Sequence, residues 1–366
     1  MKAKRTIPMA LLIAFAMQAL AQQSPPVPES SSLILTNAIP LPNEPGRIDH
    51  FALDPAGRVF VCIVGNDKVA VVETFSGKEI YSISVPRPQG AVYVPEFGKL
   101  FVGSRDGKLF IFDGTSYKLT GSINFFGDTD NVRYDQAAKR VYVGHGDGPD
   151  AGIAAVDPRT NQRLEEEYKL GAHPESFQLE ASGQRIFVNL PDLKRIDVID
   201  RKAGSISKWP MTKYQDNFAM ALDERDHRLF VGAKTPARLV VLDTNTGQVV
   251  AALPSVADSD DLWYDAEYRR IYMPGGQGYI SVFDQIGPDR YKLLEKVPPS
   301  LGARTACYAA KIGKKGAHRF FLDVPARSGR DAELWIYQAQ ESDQRKLLMV
   351  QRPEQWQRCG CPISRF

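Results

Sequence analysis

Seven times along the chain an aromatic residue is followed at once by an aliphatic one: Phe60-Val61, Phe101-Val102, Tyr142-Val143, Phe187-Val188, Phe230-Val231, Tyr272-Met273 and Phe321-Leu322. Successive pairs lie about 41 to about 49 residues apart, the length of a four-stranded blade in a radial repeat. A unit of that kind cannot bury both faces alone and must be stacked between like units. The repeat therefore overrides the two or three domains that 366 residues would ordinarily suggest. The chain reads as all-β, a seven-bladed β-propeller of four-stranded antiparallel blades over residues 33–338.

The second repeat shows the internal plan most plainly. Ala91-Val92-Tyr93-Val94, Lys99-Leu100-Phe101-Val102-Gly103, Leu109-Phe110-Ile111-Phe112 and Lys118 to Ile123 are short β-rich runs. Clusters of Pro, Gly, Asp and Ser separate them, as an antiparallel meander requires. The third strand usually closes on an acid: Glu73, Asp113, Asp157, Asp200, Asp243 or Asp284. A short carboxylate there accepts hydrogen bonds from the next backbone amides and holds the turn. Period-2 alternation puts the aromatic of each pair on one sheet face and its aliphatic neighbour on the other. Seven equivalent rings are thus expected between blades, not along a ligand. The lone strand-like run Leu33 to Ile39 is expected to complete the last blade beside Leu334-Trp335-Ile336-Tyr337. Such an N-terminal strand closes the ring and removes an open edge. Lys346 to Val350 is the competing candidate.

The first 21 residues read as a signal peptide. Lys2, Lys4 and Arg5 precede a mostly apolar run to Leu20, and Ala19-Leu20-Ala21 offers small residues for cleavage. The run is short for a bilayer span, so no membrane span is expected after its removal. Residues 22–32 read as a flexible linker and 339–366 as a polar C-terminal tail. The expected location is periplasmic or secreted. Loss of Lys2, Lys4 and Arg5 from the 46 basic residues leaves them equal in number to the 43 acidic ones. A nucleic-acid partner gains no support from that balance. Export permits disulfides. Cys62 and Cys307, in the first and last blades, are one candidate pair that ring closure would make neighbours, while Cys359 and Cys361 fall in the tail.

Runs such as Gly57-Arg58-Val59-Phe60-Val61 with Asn66-Asp67-Lys68-Val69-Ala70-Val71-Val72 resemble the YVTN-type β-propeller repeat. So does Arg228-Leu229-Phe230-Val231 with Leu239-Val240-Val241-Leu242-Asp243-Thr244-Asn245-Thr246-Gly247. The chain is similar to exported bacterial YncE-like proteins, a resemblance that implies a seven-bladed ring and no established chemistry. The same general shape carries haem d1 domains and amine-dehydrogenase subunits, so a redox subunit is one alternative. No Cys-x-x-Cys-His and no Trp-Asp dipeptide occurs, which sets the chain apart from c-type haem proteins and from the WD40 variety. Fold resemblance alone does not carry function.

Propeller geometry sorts the loops onto two rims. Fourth-to-first and second-to-third connections share one rim, where Asp49, His50, Asp130, Asn131, Glu175, Asp216, Asn217, Asp260, Asp261 and Arg304 enter the innermost strands. His145 and His173 belong to the same rim, while His227 and His318 fall in the opposite turns and read as solvated. Side chains at the start of inner strands converge on a central channel, where ligand pockets are often built. These twelve rim residues form the candidate ligand site. They suit a small polar molecule or an envelope protein partner, bound by a monomer. No cofactor is predicted, but the oxygen-rich set of Asp130, Asn131, Glu175, Asp216 and Asn217 also suits Ca²⁺ or Mg²⁺. His145, His173 and Glu175 would instead suit a transition metal, and a cation in the channel would make a metal-assisted hydrolase or lyase. His173 with Glu175 is the candidate acid/base pair, Ser176 lies beside them, and Arg304 and Arg133 are candidates to neutralise the acids or grip a carboxylate.

Overall fold

The computed structural model describes residues 32–181, 183–312, 316–327 and 329–341. The segment expected to be a signal peptide, almost all of the expected linker, Lys346 to Val350, Cys359 and Cys361 lie outside the described residues. The chain forms seven four-stranded antiparallel sheets arranged as blades in a ring. The first blade runs β2 (Ile48–Leu53), β3 (Arg58–Ile63), β4 (Lys68–Glu73), β5 (Lys78–Ser84) from the channel outwards. The next five begin with inner strands β6 (Pro88–Val94), β10 (Thr129–Asp135), β14 (Phe177–Leu179), β18 (Gln215–Asp223) and β22 (Trp263–Asp265). The last sheet runs β26 (Ala306–Ile312), β27 (Ala317–Val324), β28 (Ala332–Ala339) and then β1 (Leu33–Leu41). In it β1 pairs antiparallel with β28, from Leu33 opposite Ala339 to Leu41 opposite Ala332.

Packing between blades follows the sequence pattern. All seven aromatics and their seven aliphatic neighbours are at most 1 % exposed. Each aromatic packs against the following blade and each aliphatic against the preceding one. Phe60 lies with Leu100 and Val102, while Val61 lies with Phe321 and Leu334 of the last blade. Phe101 likewise joins Val143, Tyr142 joins Val188, Phe187 joins Val231, Phe230 joins Met273, and Tyr272 joins Leu322. Burial of a large apolar side chain stabilises by roughly 1.5–3 kcal/mol, so the core is shared among seven similar interfaces.

The third-strand acids divide by partner. Asp113, Asp157, Asp200 and Asp243 accept hydrogen bonds from amides two residues on, and three of them from the amide after that. Asp284 instead takes Arg270 Nε at 3.1 Å. Cys62 and Cys307 are both buried and free. His318 is a correction: it lies inside β27, is buried, and stacks on Tyr268 with ring centroids 4.3 Å apart. Its Nδ1 sits 2.9 Å from Asp265 and 2.6 Å from the Tyr308 hydroxyl. A run that reads as a hairpin turn is strand there, and the imidazole is a polar partner for the buried Asp265 and the half-buried Tyr308.

Candidate functional site

The channel mouth is made where the strands depart from regularity. In β2, β6 and β10 the register slips between Ile48 and Phe51, Pro88 and Ala91, and Thr129 and Val132. A bulge re-aims the side chains it carries, and these three carry Asp49-His50, Gln89 and Asp130-Asn131. In the fourth and sixth blades the inner strands are only three residues long. Glu175 and Asp260 therefore sit in the segments before them, each held by a single amide, Glu175 to the Asn189 carbonyl at 3.0 Å and Asp260 to the Arg304 carbonyl at 3.4 Å. Gly90 permits the close fit between two of these strands: a Cβ there would lie 2.2 Å from the Asp130 carbonyl oxygen.

The result is a cavity of about 340 Å³. His50 forms its floor. The imidazole Nδ1 lies 3.1 Å from Asp261, and Nε2 lies 3.8 Å from both Asp49 and Asp130. Burial opposes charge on His50, but Asp261, Asp49 and Asp130 outweigh it and push its pKa up to about 10. Burial raises Asp49 to about 7 against the pull of His50. Asp323, just below the mouth, is raised by burial to about 8 although it accepts the Thr305 amide at 3.2 Å. The carboxylates around His50 thus favour its charged form against the cost of burial.

The basic groups of the wall are each engaged. Arg47 pairs with Asp49 at 2.8 Å and Arg105 with Asp128 at 3.5 Å. Lys234 meets Asp260 at 2.7 Å and lies 3.6 Å from the Phe218 ring centroid. Arg304 spans Asp260 at 2.8 Å and Asp258 at 3.1 Å. Burial works against the Asp260 carboxylate, yet Lys234 and Arg304 hold its pKa below the usual range. His173 Nδ1 lies 2.8 Å from the Gly146 carbonyl, and Gln89 donates its side-chain amide to Asp128. Two buried acids are less closely engaged, Asp130 facing only His50 Nε2 at 3.8 Å. Asp130 is 5 % exposed, and its Oδ1 has no hydrogen-bond partner. Glu175 makes no ion pair among the described residues, and burial, reinforced by Asp130, raises its pKa to about 8.

His50, Asp130, Asn131, His173, Glu175, Asp260 and Arg304 line this cavity. Asp49 is fully buried beside it, and Asp261 lies behind His50, with Oδ2 also accepting the Ala306 amide at 2.8 Å. The other three rim residues lie elsewhere. His145 is buried with its ring 4.8 Å from Phe125 and Nε2 3.4 Å from Glu167, and burial with Arg163 lowers its pKa to about 4. Asn217 donates to Asn189 at 2.8 Å and to the Arg195 carbonyl, a bond that fastens neighbouring blades. Asp216 accepts the Thr235 hydroxyl at 2.5 Å. Arg47, Asp192 and Phe218 also line the cavity, and no local motif marks them. Among the described residues no three His, Cys, Asp or Glu side chains are arranged to hold a metal ion.

Fold and site together define a seven-bladed β-propeller with a charged, narrow channel mouth. No family model matches the chain, and no curated protein matches it. Among solved structures 1578 chains match, so the architecture by itself selects no activity. One is a chain in the crystal structure of a mitotic checkpoint complex, with a TM-score of 0.68 and 14 % identity over 89 % of this chain and 98 % of that one. The likeness is one of fold.

Proposed function

We propose that this protein is a binding protein whose channel mouth takes a small polar ligand through an ammonium or guanidinium group. The observation that carries this reading is the imbalance at the wall: every basic side chain named there has an acidic or carbonyl partner, whereas Glu175 makes no ion pair among the described residues and Asp130 meets only the His50 imidazole, 3.8 Å away, with its Oδ1 left without a hydrogen bond. A buried carboxylate is costly unless paired. Lys234, gripped by Asp260 and capped by the Phe218 ring, shows that this wall already accommodates an ammonium group. No helix among the described residues is long and apolar enough to cross a membrane. Membership of the exported YVTN-repeat, YncE-like group, and an envelope setting, rest on the repeat motifs and the basic-apolar N-terminus; N-terminal sequencing of the secreted chain tests the export.

Calorimetric titration with spermidine, L-arginine and citrate tests the ligand class. The polyamine or the arginine should bind, and Asp130→Asn should weaken binding about tenfold, the worth of one charge-assisted hydrogen bond. Citrate binding in preference to both cations overturns the reading. Binding of Ca²⁺ or Mg²⁺ alone, lost in Asp130→Asn, assigns the same oxygens to a divalent cation and supports the metal-assisted alternative.

A further inference from the structure

Behind His50 the channel opens into a second cavity of about 310 Å³ with a wall of different character. Leu53, Val92, Tyr93, Trp263 and Tyr308 present partly exposed aliphatic and ring surface to it. Trp263 is fixed there by its indole nitrogen, which donates to the Ala306 carbonyl at 2.9 Å. Arg133 also lines this cavity.

The position of Arg133 differs from that of the basic groups at the mouth. Its Nη1 donates to the Val132 carbonyl at 3.1 Å and Nη2 to Asn131 Oδ1 at 2.8 Å, both neutral acceptors. The guanidinium carbon lies 5.6 Å from the buried Phe177 ring. No acidic side chain among the described residues comes within ion-pair distance of it. Asp261, the carboxylate of this wall, is engaged by His50 and the Ala306 amide. Burial accordingly lowers the pKa of Arg133. A guanidinium carries five donors in a planar fork that matches a carboxylate. Here most of that fork is unused, half-buried beside an aromatic ring.

We propose that this inner cavity is a second ligand site, specific for a small monocarboxylate with an aromatic or aliphatic body, its carboxylate on Arg133 and its body against Trp263, Tyr93 and Tyr308. The volume suits a single-ring acid and lies at the lower end for small-molecule sites. The site differs from the mouth in its wall, which Asp130 and Glu175 do not line, although His50 borders both cavities and Asp130 acts on Arg133 through space.

Phenylacetate and its neutral counterpart phenylacetamide are the probes, titrated into the full chain and followed by calorimetry and by Trp fluorescence. Phenylacetate should bind at least tenfold more tightly than the amide, and Arg133→Gln should erase that preference. The fluorescence change on saturation should vanish in Trp263→Phe. Val92→Trp fills the cavity from another blade and should abolish binding with the far-ultraviolet circular dichroism unchanged, which keeps the test open if Arg133→Gln does not fold. Glu175→Gln, at the mouth and outside this wall, should leave phenylacetate binding intact, separating this site from the mouth. Equal affinity for acid and amide, no binding of phenylacetate by the folded protein, or an unchanged preference in Arg133→Gln would each overturn the proposal.

Discussion

The seven blade interfaces and the channel they enclose are made by the same strands under opposite rules. Each interface repeats one arrangement, an aromatic forward and an aliphatic back, with few polar groups among them. The channel repeats a bulge in three blades and a short inner strand in two, but not the side chains they carry: His50 and Asp130 on bulges, Glu175 and Asp260 before short strands, and Arg133 beside rings. Apolar packing is non-directional and tolerates averaging over seven copies. A polar site needs particular atoms at particular distances and gains nothing from symmetry. The repeated part therefore carries the apolar core, and the unrepeated one the buried charges.

The sharpest test of that division is Phe230→Ala against Phe101→Ala. Each should cost about 3–5 kcal/mol in guanidinium unfolding, as large aromatic truncations do. A clear difference between the two would break the equivalence of the interfaces. The channel should instead oppose folding as pH rises. Asp49, Glu175 and Asp323 have folded pKa values of about 7, 8 and 8, above their ordinary values. Between the ordinary carboxyl range and those values the folded state holds more protons, so stability falls with increasing pH. His50, at about 10, acts in the same direction, its contribution being complete below the ordinary imidazole value and lost through about 10. His145, lowered to about 4, acts oppositely and loses its contribution as pH falls towards that value. Tm should thus fall from pH 6 to pH 9. Asp323→Asn should flatten the decline and stabilise at pH 9 by about 1–3 kcal/mol, the cost of a poorly compensated buried polar group.

A smaller effect separates binding from folding. Glu175 must release its proton to hold a cation, so affinity for spermidine should rise as pH passes about 8, and Glu175→Gln should remove that dependence in a calorimetric pH series. The smallest change belongs to neither region. Asp200→Ala loses the bonds to the Lys202 and Ala203 amides and should cost roughly 0.5–1.5 kcal/mol with binding untouched. An altered spermidine affinity there would show that the outer turns communicate with the mouth.

The same contrast explains what the sequence discloses. The aromatic-aliphatic step and the turn acids are local patterns written several times over, so blade number, strand order and interface residues are legible. The rim rule locates His50, Asp130, His173, Glu175, Asp260 and Arg304, because entry into an inner strand is a topological property. It does not reveal how far a side chain travels after a bulge. Asn217 and His145 enter the same rim but turn into contacts between and within blades. Arg47 stands outside any strand, and Phe218 alternates with neighbours that read as ordinary core. Asp323 lies in a second strand, and only the ring brings it into the field of Asp49. His318 looks like a turn residue until its partners Asp265 and Tyr308, each from a different strand, are brought beside it.

The pairing of Leu33 with Ala339 and of Leu41 with Ala332 has a mechanical consequence. The two strands leave the sheet at the same end, so tension applied at the two extremities loads one pair at a time, as in opening a zip. The outermost strand should peel away at low force before any blade shears. Tethering both extremities to one surface would leave that seam unloaded.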